Sequence, residues 1–201
     1  DVVYAATFGS IMRSTDGGTT WARVLGGAAD PSVATDVAVT SSGVVYAYIS
    51  SLTASGAQAT GAGIFRSLDG LHWRNITPAT WPTSGTQRMR FAIAPSNENI
   101  VYIGGLAKSV GYTPILYHYT YISGDGTGTG GSWEDRSANV PQTDAAVSSV
   151  GINTYVGYAL VLRVHPNDPN TVVMGGTNLF RSTDGFKTNT QTDWIGGYAV
   201  S

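Results

Sequence analysis

Carboxylates are the groups through which this chain would do acid–base or nucleophilic chemistry, and it has few: eleven aspartates and two glutamates, Glu98 and Glu134. Cleaving a glycosidic bond takes two of them, one on each side of the scissile bond. Four aspartates recur in one context: Arg13-Ser14-Thr15-Asp16-Gly17, Arg66-Ser67-Leu68-Asp69-Gly70, Ile122-Ser123-Gly124-Asp125-Gly126 and Arg181-Ser182-Thr183-Asp184-Gly185. Their spacings are 53, 56 and 59 residues. An Asp or Ser in a tight turn accepts hydrogen bonds from nearby backbone N–H groups, and glycine supplies positive φ there. Asp16, Asp69, Asp125 and Asp184 are therefore read as structural. Of the others, Asp36 and Asp144 stand in segments leading into apolar strands and are the candidates for ligand contact. Asp30, Asp135, Asp168 and Asp193, like Glu98 and Glu134, read as solvated loop residues.

Other chemistries lack their residues. With no cysteine there is no disulfide, thiolate metal site or Cys nucleophile. His72, His118 and His165 show no paired metal-ligand spacing, and no Gly-x-Ser-x-Gly elbow occurs. The glycine-rich run Gly126–Gly131 has no lysine, no following helix signal and a single neighbouring carboxylate, so it suggests neither a phosphate cradle nor a calcium loop. No metal and no cofactor are expected. Aromatic residues remain as a binding resource. Tyr117, Tyr119 and Tyr121 alternate along one strand and so share a face. Trp81 and Trp194 fall in connections between repeats. Tyr117, Tyr119, Tyr121 and Trp81 are candidates for a sugar-stacking surface, with packing between repeats as the competing use.

Composition narrows the class. The chain has 201 residues, 42% apolar and 12% charged, the latter roughly half the usual share for soluble domains. A formal charge of −2, with Lys108 and Lys187 the only lysines, argues against nucleic-acid or acidic-membrane partners. No apolar run approaches the ~18 residues of a membrane helix. Abundant Val, Ile, Tyr and Trp at low charge argue against disorder.

The elements that must position these residues are strands. A strand-start signature precedes each Ser-x-Asp-Gly segment: Val2-Val3-Tyr4, Val44-Val45-Tyr46, Ile100-Val101-Tyr102 and Thr171-Val172-Val173. Turn clusters such as Ser41-Ser42-Gly43 and Pro166–Asn170 precede three of them. The repeat parses as four strands, for example Ala159–Val164, Thr171–Met174, Leu179–Ser182 and the residues after Gly185. No sustained 3.6-residue apolar stripe predicts a long helix. The units span approximately 1–27, 33–80, 88–140 and 157–195, the first lacking its inner strand.

The segment Ser14-Thr15-Asp16-Gly17-Gly18-Thr19-Thr20-Trp21 resembles the Asp-box, or BNR repeat, of sialidases, sortilin-type receptors, xyloglucan-cleaving double propellers and photosystem assembly factors. The resemblance covers nearly the whole chain. It extends to Ser67, Asp69, Gly70 and Trp73, to Ser123, Asp125, Gly126 and Trp133 (after an insertion), and to Ser182, Asp184 and Gly185. It implies an all-β fold, a segment of a β-propeller of about four four-stranded antiparallel blades. Each box would be the turn between third and fourth strands on the outer rim, with Asp, Gly (Gly18 in the first box) and Trp in structural roles. First strands would line a central channel, placing Asp36 and Asp144 near it. The sialidase pattern, three substrate-gripping arginines with a Tyr–Glu pair and a Phe/Tyr-Arg-Ile-Pro segment, is not matched. Where the xyloglucan-cleaving family carries an Asp, this chain has Phe8.

The expectation is a secreted or cell-surface, non-catalytic propeller module that binds protein or carbohydrate or acts as a scaffold. The alternative is a fragment of a polysaccharide-active glycoside hydrolase whose catalytic carboxylates lie elsewhere. The open edge of the first blade is expected to meet the remainder of its own propeller or another copy. The competing arrangement pairs Gly197–Val200 with Val2–Ala6 in a closed ring of four.

Overall fold

A computed structural model describes residues 1–27, 31–107, 113–141, 151–154 and 157–197. Fifteen described strands form four antiparallel sheets. The first is a three-stranded meander of β1 (Val3–Thr7), β2 (Ser10–Ser14) and β3 (Ala22–Gly26). The second holds β4 (Thr35–Val39), β5 (Val45–Ile49), β6 (Gly63–Ser67) and β7 (Trp73–Asn75). The third holds β8 (Thr86–Ile93), β9 (Ile100–Ala107), β10 (Thr113–Tyr121) and β11 (Gly131–Asp135). The fourth holds β12 (Val161–His165), β13 (Asp168–Gly175), β14 (Leu179–Ser182) and β15 (Thr192–Gly196). Two short 3₁₀ turns, at Gly128–Gly130 and Ser137–Asn139, are the helical elements among the described residues.

Strand order within each sheet follows chain order, and the first strands stand side by side: β4 lies against β1 on one side and β8 on the other, and β8 lies against β12. This is a fan of sheets, the architecture of a propeller segment. Stacking explains the apolar runs. A strand inside a stacked sheet buries both faces, so it reads as a continuous run and not as an alternation. β5, Val-Tyr-Ala-Tyr-Ile, is buried at every position, and β9 nearly so. One core lies between the second and third sheets around Tyr46, Tyr48, Trp81, Phe91, Tyr117 and Tyr119. The other lies between the third and fourth around Tyr102, Leu116, Leu162, Met174 and Phe186.

Register repeats as well. Val3 faces Ser14 across β1 and β2, and Val45 faces Ser67 and Val172 faces Ser182 across the second and third strands of their sheets. The third sheet departs: Val101 faces Tyr119, and β10 runs on to Tyr121 before the turn. One strand is longer than its sequence suggests. β13 begins at Asp168, because a bulge between Val164 and His165 brings His165 opposite Asp168 and leaves only a tight turn between them. Among the described residues β1 pairs on one side only, with β2. Of the proposed closing segment Gly197–Val200, residues 198–200 lie outside the described residues.

Candidate functional site

The four Ser-x-Asp-Gly segments each join the last two strands of their sheet: β2 to β3, β6 to β7, β10 to β11 and β14 to β15. In three of them the serine hydroxyl acts as a clamp. Ser14 Oγ donates to Asp16 Oδ1 at 2.7 Å and accepts from the Gly18 N–H at 2.8 Å. Ser67 Oγ donates to Asp69 and accepts from Gly70 N–H, and Ser182 Oγ donates to Asp184 and accepts from Phe186 N–H. The aspartate then collects donors from the residues that follow. Asp16 accepts from the Thr20 N–H at 2.9 Å and the Thr20 hydroxyl at 2.7 Å, and these bonds to the charged form draw its pKa down to about 2. Asp69 is held low chiefly by the His72 side chain, with the His72 and Leu71 N–H groups. Asp184 is low despite partial burial, through Thr188 and Ser182.

The third turn is built differently. Asp125 accepts from the N–H and hydroxyl of Thr127, at 3.0 and 2.7 Å, and meets Arg74 of the second sheet at 3.3 Å. Trp21 donates its indole N–H to Gly18 O, folding over its own turn. Trp133 instead donates to Ile76 O in the second sheet and stacks on Tyr119, so it joins sheets. The fourth segment has no box Trp; Phe186, fully buried, supplies the apolar body.

The second, third and fourth turns lock one sheet to the next, the third through Asp125 and Arg74. A Cβ on Gly70 would meet the Tyr4 hydroxyl of the first sheet, and a Cβ on Gly185 would meet Tyr102 and Arg136 of the third. Both glycines also have positive φ, +72° and +67°. Glycine is thus required twice over, by backbone conformation and by the neighbour above it.

The aromatic candidates lie inside the protein. Tyr117 and Tyr119 are buried, and their hydroxyls donate to Thr80 O and Gly126 O. Trp81 sits between Tyr48 and Tyr117, with ring centroids 6.1 and 4.9 Å away. Tyr121 is partly buried and carries Arg66 over its ring at 4.2 Å. Tyr117 and Tyr119 are thus enclosed, whereas Trp81 also borders a cavity of about 390 Å³ with Gln58, Pro82 and Thr83. Trp194, by contrast, is exposed.

Asp36 is buried on β4. It accepts from Arg90 Nη1 at 2.9 Å and from the Phe91 N–H at 2.8 Å, both on β8, and burial raises its pKa. Asp144 and Asp30 lie outside the described residues. The remaining described carboxylates are held by neighbours: Asp135 by Ser137, Asp168 by Thr171 and Asn170, Asp193 by Arg181, Glu98 by Ser41 and Glu134 by Arg136. Asp1 is exposed at the first position.

Beside Asp36 a cavity of about 190 Å³ opens where β1 ends and β4 and β8 begin. Its walls include Thr7, Phe8, Thr35, Arg88 and Arg90. Phe8, at the β1–β2 turn, is 59% exposed. Arg88 lies over the ring of Tyr158 at 4.4 Å. None of Arg88, Arg90 and Tyr158 stood out in the sequence. The one signal was Arg88-Met89-Arg90, two cations flanking an apolar residue on a first strand, with Arg88 and Arg90 exposed and Met89 buried.

No family model matches the sequence, and no curated protein matches it. Among solved structures, a GH74 enzyme of Niastella koreensis shares the fold, with a TM-score of 0.57 at 17% identity. The similarity covers 96% of this chain and 28% of that one. At that identity the likeness concerns fold, and with the four fanned sheets it shows the chain to be an all-β, propeller-like stack of antiparallel blades, the first with three described strands.

Proposed function

We propose that this chain is a stretch of Asp-box blades from a larger, extracellular, polysaccharide-active propeller, and that these blades bind glycan without themselves supplying the cleaving carboxylate pair. The observation that carries the reading is the fold likeness to a GH74 enzyme, a glycoside hydrolase, over nearly all of this chain but little more than a quarter of that one. The carboxylate geometry supports the non-catalytic half. Cleavage needs two carboxyl groups facing one bond at about 5–10 Å, whereas the described carboxylates other than Asp1 are engaged by neighbouring donors, Asp36 by Arg90 and the Phe91 N–H. The Ser-x-Asp clamps and their tryptophans fit the structural role that Asp-boxes have. The edge of β1 that has no partner strand among the described residues is where the rest of the propeller, or a second copy, would add a strand.

The test is to run the chain in gels cast with soluble glucans and acidic polysaccharides, and to assay reducing ends released from the same polymers. Retarded migration without release of reducing ends is expected. Turnover abolished by Asp36→Ala would overturn the non-catalytic assignment, and no retardation by any polysaccharide would overturn glycan binding.

A further inference from the structure

From the cavity at the start of the first strands we infer a subsite for a carboxylated sugar, a uronate residue of an acidic polysaccharide. The inference rests on the glycan-binding reading above and gives it a substrate class. Three features meet there. Phe8 presents an exposed ring at the tip of the β1–β2 turn, and sugar rings lay their C–H faces on such rings. Arg88 brings a guanidinium with no carboxylate partner among the described residues, held in place by Tyr158 beneath it. Arg90 brings a second, anchored through one nitrogen by Asp36, with 54% of its side chain exposed. The local balance is two cations against one buried carboxylate. Guanidinium is the side chain whose planar fork matches a carboxylate in two parallel hydrogen bonds.

The cavity, about 190 Å³, is large enough to admit a ligand well beyond a single water molecule. Two threonines line it, Thr7 and Thr35, and the Thr35 hydroxyl is fixed by donation to Thr7 O at 2.6 Å. A neutral sugar would use the ring and the hydroxyls and leave the arginines idle. A nucleic acid would need cations spread along a track, and the chain carries a formal charge of −2. A uronate polymer would approach this protein against its overall charge, so binding would report a local site.

The test is calorimetric titration of the chain with trigalacturonate and, separately, with cellotriose. Trigalacturonate should bind more tightly, and more weakly as salt rises. Arg88→Ala should weaken it at least tenfold, Phe8→Ala should weaken both sugars, and Arg181→Ala, on β14 of the fourth sheet and outside the cavity lining, should leave affinity unchanged. Circular dichroism of each variant confirms folding, since Arg88 and Phe8 are exposed. Equal loss in Arg181→Ala would show diffuse charge attraction and overturn the subsite. Cellotriose binding with no uronate preference would overturn the subsite while leaving glycan binding in place. Binding of neither sugar at any concentration reached would remove this subsite, and the polysaccharide gels would then decide the broader reading separately.

Discussion

Tyr4 and Tyr46 occupy the same place in their sheets. Each follows two valines, each stands opposite an arginine, and each hydroxyl accepts from that arginine's Nε at 3.3 Å. Their surroundings differ. Tyr46 is 2% exposed, packed on Phe91 and Tyr119 of the third sheet, and its Arg66 is buried between sheets. Tyr4 is half-buried, its Arg13 likewise, and Val2 and Val3 are exposed. Beside them Val37, Val39 and Leu68 line an open gap of about 500 Å³ between the first and second sheets. The same local sequence therefore gives the same strand, register and hydrogen bond, while depth is set by whether a neighbouring sheet covers it. The turn glycines repeat the contrast: Gly70 and Gly185 lie under the preceding sheet's tyrosine, whereas a Cβ on Gly17 would meet nothing within 4 Å.

The contrast predicts unequal costs for equal substitutions. Tyr46→Ala should destabilise by about 3–4 kcal/mol in urea denaturation, the range for removing a buried aromatic, whereas Tyr4→Ala should cost about 1 kcal/mol. Equal costs would show that the first sheet is covered in solution. Gly70→Ala should cost about 2–3 kcal/mol, because left-handed strain adds to displacement of Tyr4, and Gly17→Ala about 1 kcal/mol from strain alone.

Acid should act mainly on the third sheet. His118 is buried on β10 against Tyr102, and burial, with Arg136 nearby, lowers its pKa to about 4. An unfolded histidine takes up its proton near pH 6.5, so the unfolded state binds more protons between pH 6.5 and 4 and stability must fall as pH drops through that window. The loss should be about 2 kcal/mol once solvent screening is allowed for, and His118→Phe should flatten the profile there. The turn aspartates act lower. Their depressed pKa values mean that stability is lost as pH falls from about 4 toward 2. Trp21→Ala should have the smallest effect, under about 1 kcal/mol, because that ring is exposed over its own turn, whereas Trp133→Ala unpins the second sheet from the third.

Much of this was legible in the residues. Valine-rich strand starts, Pro-Asn and Ser-Gly turns and the recurring Ser-x-Asp-Gly segment located most of the strands, because each is a local signal. What was not legible depends on contacts between distant segments. Nothing near Asp36 announces that Arg90, 54 residues on, will hold it. Nothing in Tyr117-His118-Tyr119 says that both tyrosines face a neighbouring sheet and not solvent. Ser123 looks like the other clamps, yet the longer β10 and the glycine-rich insertion move the third turn onto Thr127 and Arg74. The cavity at Phe8, Arg88 and Arg90 draws on three strands from three sheets, which no single window of sequence can show.

Hydrogen exchange tests the stacked-fan account most directly. Amides of β5 and β9, enclosed between sheets, should exchange only through global unfolding, and those of β1, paired only with β2 among the described residues, should exchange far faster through local opening. Protection of β1 equal to that of β5 in the isolated chain would contradict the account, because it would mean that a further strand covers the edge and closes the first sheet.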